Sequence, residues 1–74
     1  PTLEARFETC MQQIELMYKY KGEHIAVLES RKHAAWYLNG LNGAASLRRM
    51  CGEISCIDDV KTIFEKALEQ NPDM

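Results

Sequence analysis

Proline and glycine are scarce in this chain of 74 residues, two and four respectively, and they fall where elements would end rather than inside them. The long uninterrupted runs that result favour helices over the short, turn-punctuated strands of a sandwich or barrel. No apolar run approaches the ~18 residues that would span a bilayer, and the first residues have neither the charged nor the apolar region of a signal peptide. The expectation is a domain that is neither membrane-spanning nor secreted. Cysteine occurs only at Cys10, Cys51 and Cys56, an odd number without C-x-x-C spacing. That argues against a disulfide framework and predicts free thiols in a reducing cytoplasm.

An enzyme constellation is missing as well. There is no glycine-rich loop after a strand and no nucleophile with a base and an orienting group. His24 and His33 stand nine residues apart, and no carboxylate or Cys completes a metal-ligand spacing with them. Cys51 and Cys56 could be imagined as a redox pair, but nothing in the sequence depresses a thiol pKa there. Catalysis, a metal and a cofactor are not expected of these residues by themselves.

What is present is an ordinary globular balance, 46% hydrophobic and 27% charged, which argues against disorder. At this length one domain is the limit, with a core that supplies only a few kcal/mol. The net charge of −2 conceals a segregation. Residues 1–17 set Arg6 against Glu4, Glu8 and Glu15, for −2. Residues 18–49 carry Lys19, Lys21, Arg31, Lys32, Arg48 and Arg49 against Glu23 and Glu29, for +4. Residues 50–74 carry two Lys against six acids, for −4. A basic middle lies between acidic ends, which matters more for partner choice than the sum does.

Helical periodicity divides the chain into four segments. Leu3, Phe7, Cys10, Met11, Ile14, Met17 and Tyr18 predict a first helix from Leu3 to Lys21, with Thr2 as N-cap and Gly22 in the left-handed C′ position. Tyr18 is expected to continue the core stripe and Tyr20 to snorkel at the helix end, in preference to stacking on a base. A second helix is expected from Glu23 to Asn39, stopped by Gly40. On a helical wheel Leu28, Arg31, Ala35, Leu38 and Asn39 share the inward arc, with Ile25, Lys32 and Trp36 at one flank, Val27 and Ala34 at the other, and Ala26, His33 and Tyr37 roughly opposite. Apolar residues then cover most of the circumference, as in a helix covered on a second face by another body. Whether Trp36 belongs to the core or to that contact stays open. Arg31, in the apolar arc, must reach a carboxylate, a helix end or solvent.

A short third helix is expected from Gly43 to Cys51, packing through Ala44, Leu47, Met50 and Cys51, with Arg48 at the edge and Arg49 outward. The last helix opens on Ser55-Cys56-Ile57-Asp58, a relative of the capping box, and buries Val60, Ile63, Phe64, Ala67 and Leu68. The five residues after Glu69 read as a frayed terminus. The fold expectation is all-α, a small four-helix bundle with a short third helix.

One run carries more than periodicity. Arg31-Lys32-His33-Ala34-Ala35-Trp36-Tyr37-Leu38-Asn39-Gly40, followed by Gly43-Ala44-Ala45, Arg48-Arg49 and Ile54-Ser55, resembles the C-terminal helical domain of bacterial tRNA-dihydrouridine synthases, most of all the B-type subfamily. The family usually has Lys just before the glycine at Gly40, and Asn39 stands there instead. The resemblance implies that residues 1–74 are a single helical domain, a fragment lacking the N-terminal flavin-binding barrel of its parent enzyme. In that barrel FMN, reduced by NADPH, delivers hydride to a uridine of tRNA and a Cys protonates the base. None of Cys10, Cys51 or Cys56 matches that Cys. The implied partners are tRNA and the barrel of the same chain.

Folded RNA is gripped through phosphates, 2′-hydroxyls and shape, with Arg offering bidentate phosphate bonds. Arg31, Lys32, Arg48 and Arg49 are therefore the candidate phosphate contacts, and His33 and Tyr37 face RNA or barrel. The alternatives are a solvated face for the Arg pair, a protein-docking bundle with cations at its rim, and, more weakly, a helix-turn-helix DNA reader. The last lacks Asn or Gln base readers on its short recognition helix.

Overall fold

Leu3, Phe7, Cys10 and Ile14 recur at intervals of three and four, which a helix gathers onto one side. In the structure, a computed structural model that describes residues 2–72, they are the buried face of α1, Leu3–Lys21. Thr2 caps it, its Oγ1 accepting the Ala5 N–H at 3.1 Å. Then come α2, Glu23–Tyr37, α3, Ala44–Cys51, and α4, Ile57–Gln70. Among the described residues there is no strand, and the fold is an all-α four-helix bundle with a short third helix.

Gly22 joins α1 to α2 with no linker. Its N–H donates to Tyr18 O at 3.0 Å, and its own carbonyl accepts from Ala26 at 3.1 Å. Its φ of 89° and ψ of 168° lie in a region open almost only to glycine, extended in ψ rather than left-handed helical as expected. One residue thereby reverses the chain, and α1 and α2 pack as an antiparallel pair. All four helices contribute to one core, in which the Phe7 and Phe64 rings stack in parallel with centroids 4.1 Å apart and tie α1 to α4.

The inward face of α2 differs from the expected arc. Ala26, Val27, Ser30, Ala34 and Leu38 are buried, while Ile25, Leu28 and Trp36 are exposed. Small side chains let α2 approach its neighbours closely, and the larger apolar residues are left outside. Ser30 is tolerated at 0% exposure because its hydroxyl donates to Val27 O at 2.7 Å. Tyr18 is likewise 46% exposed rather than part of the core stripe. The helix ends at Tyr37, two residues earlier than expected, in a turn that reaches Gly40.

The cap of α4 is shifted by one residue from the expected Ser55–Asp58 pairing. Cys56 is the N-cap and Asp59 its reciprocal partner. One oxygen of Asp59 accepts from Ser55 N at 2.8 Å, Ser55 Oγ at 3.1 Å and Cys56 N at 3.3 Å. These bonds, the Ser55 N–H first, hold its carboxyl below the usual carboxylate range. With the folded pKa depressed, the stabilisation is present above the unfolded value of about 3.9 and is lost as pH falls through the folded one. Asp59→Ala is therefore expected to lower the melting temperature at neutral pH by an amount that shrinks below about pH 4. A deficit that stays constant with pH, followed by circular dichroism, would refute this.

The end of the chain is not frayed as far as Pro72. Asn71 is buried, its Oδ1 accepting from Asn42 N at 2.8 Å while its Nδ2 donates to Asn42 O at 3.2 Å and to Ala67 O at 2.9 Å. The side-chain amide thus pairs with the α2–α3 turn as a strand neighbour would. Asp73 and Met74, the rest of that expected terminus, lie outside the described residues.

Candidate nucleic-acid interface

Arg31 leaves the middle of α2 and crosses to the α3–α4 connection. Its Nε and Nη2 both donate to the carbonyl oxygen of Ile54, at 3.0 and 2.7 Å. That carbonyl belongs to a residue only 1% exposed. The guanidinium therefore ties α2 to the α3–α4 connection, with two of its five N–H donors on that one carbonyl.

Lys32, by contrast, is exposed on α2, with Trp36 one turn further along the same face. Trp36 is 68% exposed, which resolves its place: it is a surface residue. His33 and Tyr37 are half-buried on the side of α2 that meets α1. In the turn after α2, Asn39 Oδ1 accepts from Arg48 Nη1 at 3.2 Å. This bond draws an α3 cation toward the outer surface of α2. Arg49, next to it, is exposed with its helix face turned to solvent.

The α2–α3 turn is held for this arrangement. Gly43 opens α3 at φ 76°, and an added Cβ there would collide with the Gln70 side chain. The Asn42–Asn71 pairing anchors the same turn to α4. The structure therefore joins Arg48 to Asn39 and, separately, sets Lys32 beside Trp36 on α2, with Arg49 exposed on α3. It assigns Arg31 to the interior and sets His33 and Tyr37 at the α1–α2 seam.

Trp36 lines two clefts. One, of about 270 Å³, is lined by Ala5, Arg6, Thr9, Trp36 and Tyr37. The other, of about 470 Å³, is lined by Gln13, Glu29, Lys32, His33, Trp36 and Tyr37. Arg6 of α1 thus reaches the neighbourhood of the α2 cations, which sequence reasoning missed. Its signal was weak, because Arg6 sits in the acidic first segment. A separate groove between α1 and α4, about 340 Å³, has an apolar floor that includes Phe7, Met11 and Phe64. Glu4, Glu8, Glu15 and Glu65 line it, with Lys61 the one cation among them. Its carboxylates would repel a phosphate, so the two sides of the molecule differ in the charge they offer.

The thiols add no chemistry to either side. Burial, and then the neighbouring Cys51, pushes the Cys10 thiol up to about 12, and burial raises Cys51. Cys10 and Cys51 are thus buried free thiols, as is the half-buried Cys56 a free thiol. Among the described residues no group of three or more His, Cys, Asp or Glu side chains could hold a metal ion. No helix among them is long and apolar enough to cross a membrane.

The chain is similar to the "Probable tRNA-dihydrouridine synthase 1" of Synechocystis sp., 28% identical over 68 residues that make up 92% of this chain and 19% of that protein. It is also similar to the "Probable tRNA-dihydrouridine synthase" of Rickettsia bellii, 28% identical over 69 residues, 93% of this chain and 20% of that one. The chain thus spans about a fifth of the length of these curated relatives. No solved structure matches it. The family described as "Dihydrouridine synthase (Dus)" matches residues 1–72, nearly the whole chain. With that coverage, and with a helical body that fits the expectation from the Arg31–Gly40 run, the chain belongs to the dihydrouridine synthase family.

Proposed function

We propose that these residues form the C-terminal, tRNA-binding helical domain of a B-type tRNA-dihydrouridine synthase, a fragment of a longer cytoplasmic enzyme whose flavin-binding barrel precedes it. The observation that supports the reading is the Arg48–Asn39 bond, which ties an α3 cation to the turn at the end of α2, the helix that carries exposed Lys32. Arg49 follows Arg48 on α3. Lys32, Arg48 and Arg49 bind phosphates, and His33 and Tyr37 line a cleft with Lys32. Arg31, whose fork is taken by Ile54, positions the α3–α4 connection behind them.

The α1–α4 groove fits FMN poorly, because four carboxylates against the single cation Lys61 surround the place where the flavin's phosphate would need net positive charge. FMN and NADPH are therefore assigned to the barrel of the parent enzyme, which reduces uridine in tRNA. The helical domain supplies binding and orientation. A folded tRNA must be held by two bodies while one base is extruded into the catalytic one.

Contacts of this kind release counterions, so the binding is salt-sensitive and only modestly dependent on sequence. Reversing Lys32, Arg48 and Arg49 to Glu in the full-length enzyme is expected to weaken binding of unmodified tRNA by more than about tenfold at ~50 mM salt. The salt slope should fall by about one for each phosphate that is no longer neutralised. The three side chains are exposed, so the helical content should be unchanged. Equal affinity for the reversed and native enzymes in filter binding would remove these residues from the interface.

A second reading, a helical bundle that docks on a partner or on its own catalytic domain without touching RNA, is supported by the apolar α1–α4 groove and by exposed Ile25 and Leu28. Under that reading the charge reversal leaves tRNA affinity intact.

A further inference from the structure

Trp36 poses a problem that packing does not answer. It is the only Trp in the sequence and it is 68% exposed, although Trp is among the residues with most to gain from burial. Its indole stands 5.5 Å from the Tyr37 ring at a 54° tilt, so the neighbouring ring steadies one edge and does not cover its face. Its side chain lines two clefts, one shared with Arg6 and the other with Lys32 and His33. An uncovered aromatic among cations has the chemistry of a single-stranded nucleic-acid site. A base stacks on the ring, and the neighbouring cations take the phosphates that flank it. Glu29 is the one carboxylate lining these two clefts.

A protein would suit this end of α2 less well. The exposed apolar residues Ile25 and Leu28 lie two to three turns back toward the start of the helix, away from the clefts that Trp36 shares with Arg6 and Lys32. The outer face of α2 thus divides into an apolar half and a cationic half, and Trp36 stands in the second.

We infer that Trp36 is a stacking platform for an unpaired RNA base, with Arg6 and Lys32 holding the flanking phosphates. This rests on the tRNA-binding reading and narrows it, because it asks for a looped-out or single-stranded nucleotide at the helical domain in addition to the one that enters the catalytic body.

The lone Trp makes the test direct. In the 74-residue chain, titration with a single-stranded RNA oligonucleotide or an unmodified tRNA transcript should quench the indole emission, and a fully paired duplex of the oligonucleotide's sequence should not. In the full-length enzyme Trp36→Ala should weaken tRNA binding about tenfold, the effect typical of losing one stacked base, and Trp36→Phe should recover part of it. Binding with normal affinity in Trp36→Ala and no quenching would overturn the platform and leave the tRNA-binding reading standing. Equal quenching by the duplex would overturn stacking on an unpaired base. Failure of the native enzyme to bind tRNA even at low salt would overturn both. Shielding of Trp36 from acrylamide in the RNA-free full-length enzyme, but not in the 74-residue chain, would show that protein covers it and would also sink the platform.

Discussion

Phe64→Ala is expected to leave the 74-residue chain largely unfolded near 37 °C. Phe64 is buried on α4 and stacks in parallel on Phe7 of α1. The pair is a principal tie between the first helix and the last. Removing a buried Phe side chain costs about 3–5 kcal/mol, because its apolar surface no longer leaves water on folding and the cavity collapses only in part. A core in a chain this short supplies little more than that, about 3–5 kcal/mol. In a domain of this size each kcal/mol lowers the melting temperature by about 4–8 °C, so the variant should melt at least ~12 °C below the native chain or show no cooperative transition. Phe64→Leu keeps most of the volume and should lose much less. A drop of only a few degrees in Phe64→Ala, by circular dichroism, would mean that α1 and α4 are held together by something other than this stack.

Arg31→Met should destabilise the fold by about 2–3 kcal/mol, although it removes a charge that sequence reasoning first reads as an RNA contact. The reason is geometric. The guanidinium bonds the Ile54 carbonyl with two donors on one acceptor. Taking both away leaves a carbonyl of a buried residue short of partners, and the desolvation penalty is then uncompensated. Arg31→Lys should recover part of the loss, since an ammonium can donate to the same oxygen but has no planar fork. Lys32→Met, one residue along and exposed, should change stability by less than about 0.5 kcal/mol. These two neighbours separate structure from function: Arg31 variants change the denaturation midpoint, and Lys32 variants change RNA affinity. Equal stability of Arg31→Met and Lys32→Met in urea would overturn the assignment of Arg31 to the α3–α4 connection.

The separation of charges bears on how a chain with net charge −2 would serve the anionic partner proposed for it. Glu4, Glu8, Glu15 and Glu65 line the groove between α1 and α4 with one cation, Lys61, and on α3 Arg48 bonds Asn39 in the turn that follows α2. An acidic side turned away from RNA and a basic side turned toward it would orient the molecule during approach, within a screening distance of about 10 Å at ordinary salt.

The helices themselves were legible from one dimension. Their existence depends on local spacing and on local capping. Leu3, Phe7, Cys10 and Ile14 repeat at helical intervals, Thr2 can bond only to donors a few residues ahead, and Gly22 is needed wherever the backbone turns to positive φ. The shift from Ser55–Asp58 to Cys56–Asp59 is a displacement of one residue, within the range by which helix ends are located from local pattern.

What needed the tertiary structure was the assignment of each residue on α2. Its residue order shows that α2 has more apolar surface than one face can bury, and a wheel cannot say which arc wins. Packing distance decided it. Ala26, Ser30 and Ala34 are small enough for close approach, so they went inward, and Ile25, Leu28 and Trp36 were left outside. The partners of Arg31, Arg48 and Asn71 lie 23, 9 and 29 residues away, at Ile54, Asn39 and Asn42. A hydrogen bond over such a separation depends on where the backbone has already been carried, and no local pattern encodes it. The sequence therefore carried the helices, the segregated charge and the family resemblance. The fold alone decided which cation is tied to a backbone carbonyl and which aromatic is left exposed, because both depend on where distant segments of the chain come to lie.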